Sequence, residues 1–315
     1  MQNDQIRNLA ISIIIPVYND QCGLKDTLDS LVNQNFPKKD FEIIISDNGS
    51  SDNTLGTAEM FAKKHPELIH IVVENNIKSS YAARNKGIDA SEGSIIAFID
   101  SDMTVNKDWL TRIVKSFEKH QADYLACRVE INLGEKSLFG LYNKMTGFPV
   151  GKYIKKNHFT PTCCLVVKKN VLDDVGLFDS RLVSGGDYEF GNRVFDSGYK
   201  LYYDASIVMR HPARSTFKQI FCKFFRIGKG YKQLSYYYPK RCKEFHRNIM
   251  NLRYYLPSKP WSYSKKLKEN KNYHKLPILT KIKLYLIDWE VKLAMQTGYI
   301  YENFRRKVKN KNKTD

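Results

Sequence analysis

The sequence lacks several patterns that would assign it to a protein class at once. Its six cysteines include no C-x-x-C pair, so neither a zinc site nor a thioredoxin-like redox motif is indicated. No apolar run approaches the roughly 18 to 20 residues of a membrane-spanning helix. Residues 1–10 are polar and the apolar run after them is interrupted by Ser12, which does not match a signal peptide. These absences favour a protein of the reducing cytoplasm.

Acidic residues are scarce in the last third of the chain. From Arg214 to Asp315 there are 26 Lys and Arg against 6 Asp and Glu, a net charge of +20, whereas the preceding residues carry 25 against 27, a net charge of −2. The chain is therefore a near-neutral body, large enough to bury a sizeable core, followed by a strongly basic tail. A tail of this kind is typical of a surface that attaches to something anionic, either lipid headgroups or nucleic acid.

Short apolar runs and amphipathic helical patterns alternate through the first part of the chain. The pattern predicts buried strands separated by helices and short turns. Because such strands pair in parallel through right-handed crossovers, we expect an α/β fold with a doubly wound, mainly parallel sheet. Ligands of such sheets bind beyond the carboxyl ends of the strands. The predicted strands are residues 11–17, 41–45, 69–73 and 95–99.

Beyond Met103 the alternation is less regular. Residues 132–160 are rich in Gly, Lys and aromatic residues without clear periodicity, and we interpret them as a long functional excursion. Two short strands are expected at 199–203 and 207–209. The other expected elements are a helix around residues 109–117, strands at 124–131 and 162–167, and helices at 170–175 and 184–197.

The basic tail contains two predicted amphipathic helices, one over residues 215–233 and one from Ile278 to about Phe304. They are joined by a Pro-containing linker at 256–261. Such a helix can lie in the plane of an anionic membrane surface, with its lysines at the headgroups. The alternative is that its apolar stripe packs on the body of the protein or forms a homo-oligomer contact. In the first helix the stripe consists of Phe217, Ile220, Phe221, Phe224, Ile227 and Tyr231.

Two carboxylates, Asp100 and Asp102, follow the buried run Ile95–Ile99 directly. An Asp-x-Asp at a strand end is placed to hold a hard cation together with the phosphate that the cation carries. Taken alone, the same residues are also good turn and N-cap formers. The local pattern leaves both interpretations open.

Five segments nevertheless occur in a fixed order that resembles the family 2 inverting glycosyltransferases with the GT-A fold, over about residues 10–213. The resemblance implies a GT-A catalytic domain at 1–213, with a nucleotide-sugar part at about 10–103 and an acceptor part at about 104–213, and a helical extension at 214–315. The segments are Ile15-Pro16-Val17-Tyr18-Asn19, Asp47-Asn48-Gly49-Ser50-Ser51-Asp52, Ala83-Arg84-Asn85-Lys86-Gly87, Asp100-Ser101-Asp102, and Gly185-Gly186-Asp187-Tyr188-Glu189 followed by His211.

The same resemblance implies a set of donor-binding residues. Asp47 would accept a hydrogen bond from an N–H of uracil, and Pro16 and Tyr18 would form the wall on which base and ribose rest. Arg84 would donate to phosphate oxygens as a planar fork. Asp100 would lie nearer the ribose, with Ser101 beside it.

Asp102 and His211 are the metal ligands that the resemblance implies. Two protein ligands, completed by diphosphate oxygens and water, suit Mn²⁺ or Mg²⁺. A bound divalent ion stabilises the charge on a departing nucleoside diphosphate as a Lewis acid.

Asp187 is the implied catalytic base, which would take the proton of the acceptor hydroxyl in a single inverting displacement. The family usually has an acidic pair here, whereas Gly186 precedes Asp187 in this chain. Glu189 is either a substitute for the missing carboxylate or an acid favoured by the helix dipole.

These observations predict a non-processive transferase, since the Gln-x-x-Arg-Trp signature of processive synthases is missing. The expected donor is a UDP-sugar and the expected acceptor a glycan or lipid-linked hydroxyl in the cell envelope. The expected location is the cytoplasm, peripheral on the inner face of the membrane.

Two other functions compete with this prediction. A nucleotidyltransferase would carry a Gly-rich basic loop after the first strand, and Pro16–Asn19 is unlike one. A nucleic-acid-binding protein could use the basic tail around Tyr236–Tyr238, but no recognised module surrounds it, so no nucleic-acid partner is expected.

Overall fold

The computed structural model describes residues 10–134, 137–267 and 271–311. The chain forms two compact units. The first unit contains the described residues of Met1–Glu130, Phe148–Arg181 and Gly186–His211, and the second contains those of Ile131–Gly147, Leu182–Gly185 and Pro212–Asp315. The second unit thus includes two segments that precede the predicted domain boundary at residue 213.

The first unit begins with four parallel strands in the order β3-β2-β1-β4. Every residue of the first two strands is buried, as expected for strands covered by helices on both faces. The predicted alternation of strands and helices is confirmed. Its elements are β1 (Ile11–Val17), α1 (Gln21–Val32), β2 (Phe41–Asp47), α2 (Thr54–Lys64), β3 (Ile69–Val73), α3 (Ser80–Asp89) and β4 (Ile95–Phe98).

The sheet continues with antiparallel pairings that the sequence pattern did not indicate. The full order is β3-β2-β1-β4-β7-β6-β8-β5, in which β7 is antiparallel to β4 and β6, and β5 to β8. The further elements are β5 (Thr104–Val105), α4 (Trp109–His120), β6 (Tyr124–Asn132), α5 (Leu138–Thr146), α6 (Val150–Asn157), β7 (Leu165–Lys168), α7 (Lys169–Val175), α8 (Gly186–Asp196) and β8 (Leu201–Pro212).

Two expectations about this region were wrong. Residues 132–160 are not an irregular excursion, because they contain α5 and α6. The two short strands expected between 199 and 209 are one strand, β8, of 12 residues. The side chain of Asp204 accepts from the backbone N–H of Ser206 at 2.9 Å, which satisfies a polar group in the middle of β8, where the apolar pattern is interrupted.

The loops at the carboxyl ends of β1 and β2 are fastened to each other. The backbone N–H of Asn19 donates to Ser50 Oγ at 2.9 Å, and Asn19 Oδ1 accepts from the backbone N–H of Ser51 at 2.7 Å. The backbone N–H of Asp20 donates to Thr54 Oγ1 at 2.9 Å. These bonds hold the two strand ends, where ligands are expected, in a fixed relation.

The second unit is helical and is built around a close crossing of two helices. They are α9 (Phe217–Tyr237) and α12 (Ile278–Lys311), which the chain connects through α10 (Pro260–Leu267) and α11 (Lys271–His274). A Cβ on Gly228 would lie 1.8 Å from the carbonyl oxygen of Met295, and one on Gly298 would lie 2.0 Å from that of Phe225. The two glycines therefore allow the backbones to approach closely.

Part of the apolar stripe predicted for the first tail helix is used for packing within the second unit. Ile220 of α9 is buried in an apolar cluster against which Phe224 packs. The cluster also contains Tyr142 of α5 and residues of α10, α11 and α12, namely Tyr263, Leu267, Tyr273, Leu284, Ile287 and Val291. No helix among the described residues is long and apolar enough to cross a membrane.

Candidate active site

Asp47 ends β2 in a buried position, with only 3% of its surface exposed. Its Oδ2 accepts from the backbone N–H groups of Gly49 and Ser50, both at 2.9 Å. Gly49 makes this turn possible because its φ of +76° is rarely adopted by other residues. Among the described residues, the buried Oδ1 has no hydrogen-bond partner. Leaving a buried acceptor unpaired costs about 1–3 kcal/mol, so Asp47 presents an oxygen that suits an N–H of a ligand.

The two wall residues differ in exposure. Pro16 is buried within β1 beside Ser46 of β2, where its ring restricts the backbone of the strand end. Tyr18, just beyond the strand, is 53% exposed. An exposed aromatic ring beyond a strand end can stack on a planar base.

Arg84 and Asp100 form an ion pair. Arg84 Nη2 lies 2.7 Å from Asp100 Oδ1, and Nη1 donates to the carbonyl oxygen of Ser80 at 3.2 Å. Arg84 is 5% exposed, and its buried Nε has no partner among the described residues. The guanidinium is therefore aimed at the carboxyl end of β4, and in this state part of its fork is occupied by Asp100. Its contact with phosphate stays a prediction.

Ser101 has a structural contact in addition to its predicted place beside the donor. Its hydroxyl donates to Asp20 Oδ2 at 2.7 Å, and its carbonyl oxygen accepts from Thr27 Oγ1 at 2.8 Å. Asp20 also caps α1 by accepting from the backbone N–H of Gly23. The turn that carries Asp100 and Asp102 is thus fastened to the start of α1.

Asp102 and His211 come together, although they are far apart in sequence. The antiparallel pairing of β5 with β8 places Thr104 opposite Arg210, so the residues just before β5 meet the end of β8. Asp102 Oδ2 lies 3.6 Å from His211 Nε2. His211 is 2% exposed, with the ring of Phe148 5.6 Å from its own between centroids.

This pair fits a divalent cation. Adjacent ligands around an ion bound at about 2.1 Å lie about 3 Å apart, close to the separation seen here, and a carboxylate with an imidazole suits Mn²⁺. Within the part of the chain that the structure describes, no group of three or more His, Cys, Asp or Glu residues could hold a metal. Further ligands would therefore have to come from the diphosphate and water.

Asp187 lies in the first turn of α8, half-buried, with its Oδ1 accepting from the backbone N–H of Tyr188 at 3.0 Å. The hydroxyl oxygen of Tyr81 accepts from the N–H of Gly186 at 2.9 Å and lies 3.5 Å from Asp187 Oδ1. A Cβ on residue 186 would lie 2.8 Å from the Tyr81 ring. The close approach of Tyr81 therefore leaves no room for a side chain at residue 186, where the family usually has an acidic residue.

Sequence reasoning missed Tyr81, because the start of α3 gives an aromatic residue no recognisable signal. It also left the role of Glu189 open. Glu189 is 1% exposed and accepts from Arg193 Nε at 2.9 and 3.1 Å, while Arg193 Nη2 donates to the carbonyl oxygen of Leu177. Arg193, paired with Glu189 on the same helix, therefore joins α8 to the segment after α7, and both carboxylate oxygens of Glu189 contact Arg193. The i,i+4 spacing of Glu189 and Arg193 is the sequence signal that could have predicted this ion pair.

Cys163 is a buried cysteine whose thiol could in principle act as a nucleophile, but its environment disfavours that role. A hydrogen bond with Cys164 and burial raise the pKa of the Cys163 thiol, and the charge of Asp100 raises it further. The thiol therefore stays protonated at neutral pH, whereas the thiolate is the reactive form.

Comparison with known proteins places this geometry in a family. The sequence model of glycosyl transferase family 2 matches residues 12–176. The chain is 35% identical over 225 residues to the glycosyltransferase AglE of Haloferax volcanii, covering 71% of this chain and 73% of that protein. It is 31% identical over 122 residues, 39% of this chain and 21% of the relative, to the poly(ribitol-phosphate) beta-N-acetylglucosaminyltransferase TarS of Staphylococcus aureus.

Two solved structures have a similar fold. The mannosyltransferase PcManGT of Pyrobaculum calidifontis, in complex with GDP-Man and Mn²⁺, superposes with a TM-score of 0.65 at 16% identity, covering 95% of this chain and 88% of that one. Residues 1–349 of S. aureus TarS, in complex with UDP-GlcNAc, give a TM-score of 0.54 at 19% identity, with 95% and 92% covered. The expected GT-A-like α/β fold with a helical C-terminal region is confirmed.

Proposed function

Because the chain belongs to glycosyl transferase family 2 and is a glycosyltransferase, we propose that it transfers one sugar, with inversion, from a nucleotide-diphosphate donor to a hydroxyl of a cell-envelope glycan or lipid-linked acceptor. The observation that carries this proposal is the approach of Asp102 and His211 to 3.6 Å beside the carboxyl end of β4. The reaction also requires recognition of the donor base and a group that accepts the proton of the acceptor. Asp47, at the carboxyl end of β2, would serve the first and Asp187, at the start of α8, the second.

The proposed donor is a UDP-sugar. Asp47 Oδ1, buried and unpaired among the described residues, would accept the N3–H of uracil, and the exposed ring of Tyr18 would stack on the base. The TarS complex contains UDP-GlcNAc and the PcManGT complex contains GDP-Man, so a comparison of uridine with guanosine nucleotide sugars tests the choice of base.

Asp102 and His211 would hold Mn²⁺ or Mg²⁺. When bound, the ion would supply Lewis-acid stabilisation of the negative charge on the leaving diphosphate. Arg84 would contribute a second, fixed positive charge close by, with its orientation set by Asp100 and the carbonyl oxygen of Ser80. The proposal is supported by the donor atoms of this pair and by Mn²⁺ in the PcManGT complex.

Asp187 would act as the base. The acceptor oxygen forms a bond to the anomeric carbon, the bond from that carbon to the diphosphate oxygen breaks, and the hydroxyl proton passes to the Asp187 carboxylate. The N–H of Tyr188 holds Oδ1 at 3.0 Å, and Tyr81 fixes the backbone at Gly186. One carboxylate acting on one face of the sugar gives inversion in a single step.

The proposed place of action is the inner face of the cytoplasmic membrane, where lipid-linked and cell-wall acceptors are assembled. The relative TarS is, by its name, a transferase of N-acetylglucosamine to poly(ribitol-phosphate).

A panel of nucleotide sugars tests the proposal by the nucleoside diphosphate released in the presence of an acceptor extract. We expect release from a UDP-sugar with Mn²⁺ and its loss with EDTA. Asp187→Asn serves as the matched inactive control. Formation of pyrophosphate from a nucleoside triphosphate and a sugar phosphate, without release of nucleoside diphosphate, would instead support a nucleotidyltransferase.

A further inference from the structure

The first half of α12 presents a row of large apolar side chains to solvent. Ile278, Leu279, Ile282, Leu286 and Trp289 are 74%, 60%, 50%, 46% and 36% exposed, respectively. At 100° per residue these positions fall within one sector of about 100° on the helix. The sequence predicted an amphipathic helix here, and the structure shows that these five apolar side chains are exposed.

The opposite side of the same helix is the one that packs. Leu284, Ile287 and Val291 are buried in the apolar cluster of the second unit. A helix of a globular protein ordinarily has one apolar stripe and a polar remainder. Because α12 has two apolar sides and packing uses only one, the exposed side needs a separate explanation.

A neighbouring segment of the second unit extends this surface. Trp289 Nε1 donates to the carbonyl oxygen of Tyr255 at 2.7 Å, Lys292 Nζ to that of Leu256 at 2.7 Å, and Tyr285 Oη to that of Ser258 at 2.5 Å. These bonds fasten residues 255–258 along α12. The segment contains the exposed Leu256 and is flanked in sequence by the exposed Leu252 and Trp261, and we name these three with the five residues of α12 the apolar face.

Basic side chains surround the apolar face. Residues 250–292 contain 10 Lys and Arg against 3 Asp and Glu, a net charge of +7. Among the described residues of that range, Asp288 is buried and bonded to the hydroxyl of Tyr142, so Glu290 is the one exposed acid. On the helical wheel, Lys281 and Lys292 flank the apolar face on one side and Lys283 on the other.

The combination of an apolar face with a basic rim favours one kind of binding partner over the others. A second copy of the chain would cover the apolar side chains but would bring two rims of like charge together, which opposes association. A nucleic acid would neutralise the rim but would give the exposed aliphatic residues no partner. An anionic lipid surface satisfies both, since aliphatic side chains enter the acyl boundary, tryptophans prefer the interface, and lysines reach the headgroups.

We propose that the apolar face docks the protein onto membranes that contain anionic lipids, with α12 lying in the plane of the interface. The inference rests on the proposed place of action and moves the contact from α9, part of whose stripe is used for packing, to α12 and the segment beside it. Binding requires no spanning helix, because the face enters the membrane only to the depth of its side chains.

The test uses the full chain with vesicles of phosphatidylcholine alone or with phosphatidylglycerol, separated by sedimentation at low salt. The double variant Ile282→Ser/Leu286→Ser removes two exposed apolar side chains without changing charge. We expect at least a tenfold loss of partitioning onto the anionic vesicles, and weak binding of the unaltered protein to phosphatidylcholine alone. Unchanged partitioning of the double variant would overturn the proposal.

Matched controls replace exposed apolar residues elsewhere. Phe217→Ser lies at the start of α9 and Met60→Ser lies on α2 of the first unit, and both residues are exposed to a similar degree. Both controls should partition like the unaltered protein. A loss with Phe217→Ser equal to that of the double variant would assign the contact to α9 and overturn the proposal for α12.

Two further measurements separate the outcomes. Release of nucleoside diphosphate from a nucleotide sugar, without vesicles, should be unchanged in the double variant, so the failure of the proposed chemistry is seen independently of membrane binding. Sedimentation velocity without lipid should show a monomer. A dimer that the double variant abolishes would identify a second copy as the occupant and overturn the membrane proposal.

Discussion

At the residue scale, the protein holds one oxygen of three carboxylates in the candidate site. Gly49 and Ser50 hold Asp47 Oδ2, Arg84 holds Asp100 Oδ1, and Tyr188 holds Asp187 Oδ1. Holding one oxygen fixes the plane of the carboxylate. Sequence motifs identified these three acids, but the pairing of Arg84 with Asp100 could not be predicted, because both were assigned to a ligand rather than to each other.

Asp47→Asn should weaken the binding of UDP by about 10- to 100-fold, because loss of a hydrogen bond to a charged acceptor costs about 1.5–3 kcal/mol. The amide can still accept from Gly49 and Ser50 with its oxygen, but it then presents an NH₂ group to the N3–H of uracil. Calorimetric titration with UDP and CDP measures the effect. Since cytosine has no N3–H, preference for UDP over CDP should fall in the variant, and an unchanged preference would remove Asp47 from base recognition.

Asp102→Ala and Asp187→Asn should fail in different ways. Loss of a metal ligand should weaken Mn²⁺-dependent binding of nucleoside diphosphate as well as turnover. Loss of the base should lower kcat by about 10²- to 10⁴-fold and leave nucleotide binding nearly unchanged. Titration of each variant with UDP, with and without Mn²⁺, together with turnover, checks the division of roles. Equal loss of nucleotide binding in both variants would show that the two roles have been assigned wrongly.

At the scale of elements, the local sequence pattern predicted where the strands and helices lie better than it predicted which elements they pair with. The mainly apolar runs at 11–17 and 69–73 are strands with those bounds, since a short apolar run between turn residues predicts a strand; the first is buried throughout and the second only in part. The direction of β7 against β4 could not be predicted, because periodicity within a strand does not encode its neighbour. The buried side of α12 was also not predictable, since both sides are apolar and only the tertiary packing selects one.

The crossing of α9 and α12 depends on two glycines that sequence reasoning passed over. Gly228→Ala and Gly298→Ala should each lower the free energy of unfolding by about 1–3 kcal/mol, because the new methyl group would meet a backbone carbonyl oxygen, which cannot rotate away. Gly134→Ala is the control, since none of the described residues lies within 4 Å of its Cβ position. Urea denaturation followed by circular dichroism measures the difference, and a neutral result for both would mean that the helices cross less closely.

At the scale of the whole molecule, charge and chemistry occupy different parts of the chain. The net charge of +18 arises almost entirely after residue 213, whereas the proposed donor site is assembled from acids and one buried arginine before it. Sequence alone established this division, because charge counts need no structure. The packing of α12 was needed to show which basic residues surround the apolar face and which lie elsewhere.

Salt should therefore separate membrane binding from catalysis. Raising NaCl from about 0.05 to 0.5 M shortens the screening length from roughly 14 to 4 Å, which weakens the attraction of the basic rim to anionic lipid. Partitioning onto phosphatidylglycerol vesicles should fall at least tenfold, while release of nucleoside diphosphate with a water-soluble acceptor should change less than twofold, since the charge of the buried Arg84 is poorly screened by salt. Vesicle partitioning and turnover with the water-soluble acceptor, both measured across this range, check the prediction. If both activities declined in parallel, the basic tail would contribute to the chemistry as well as to attachment.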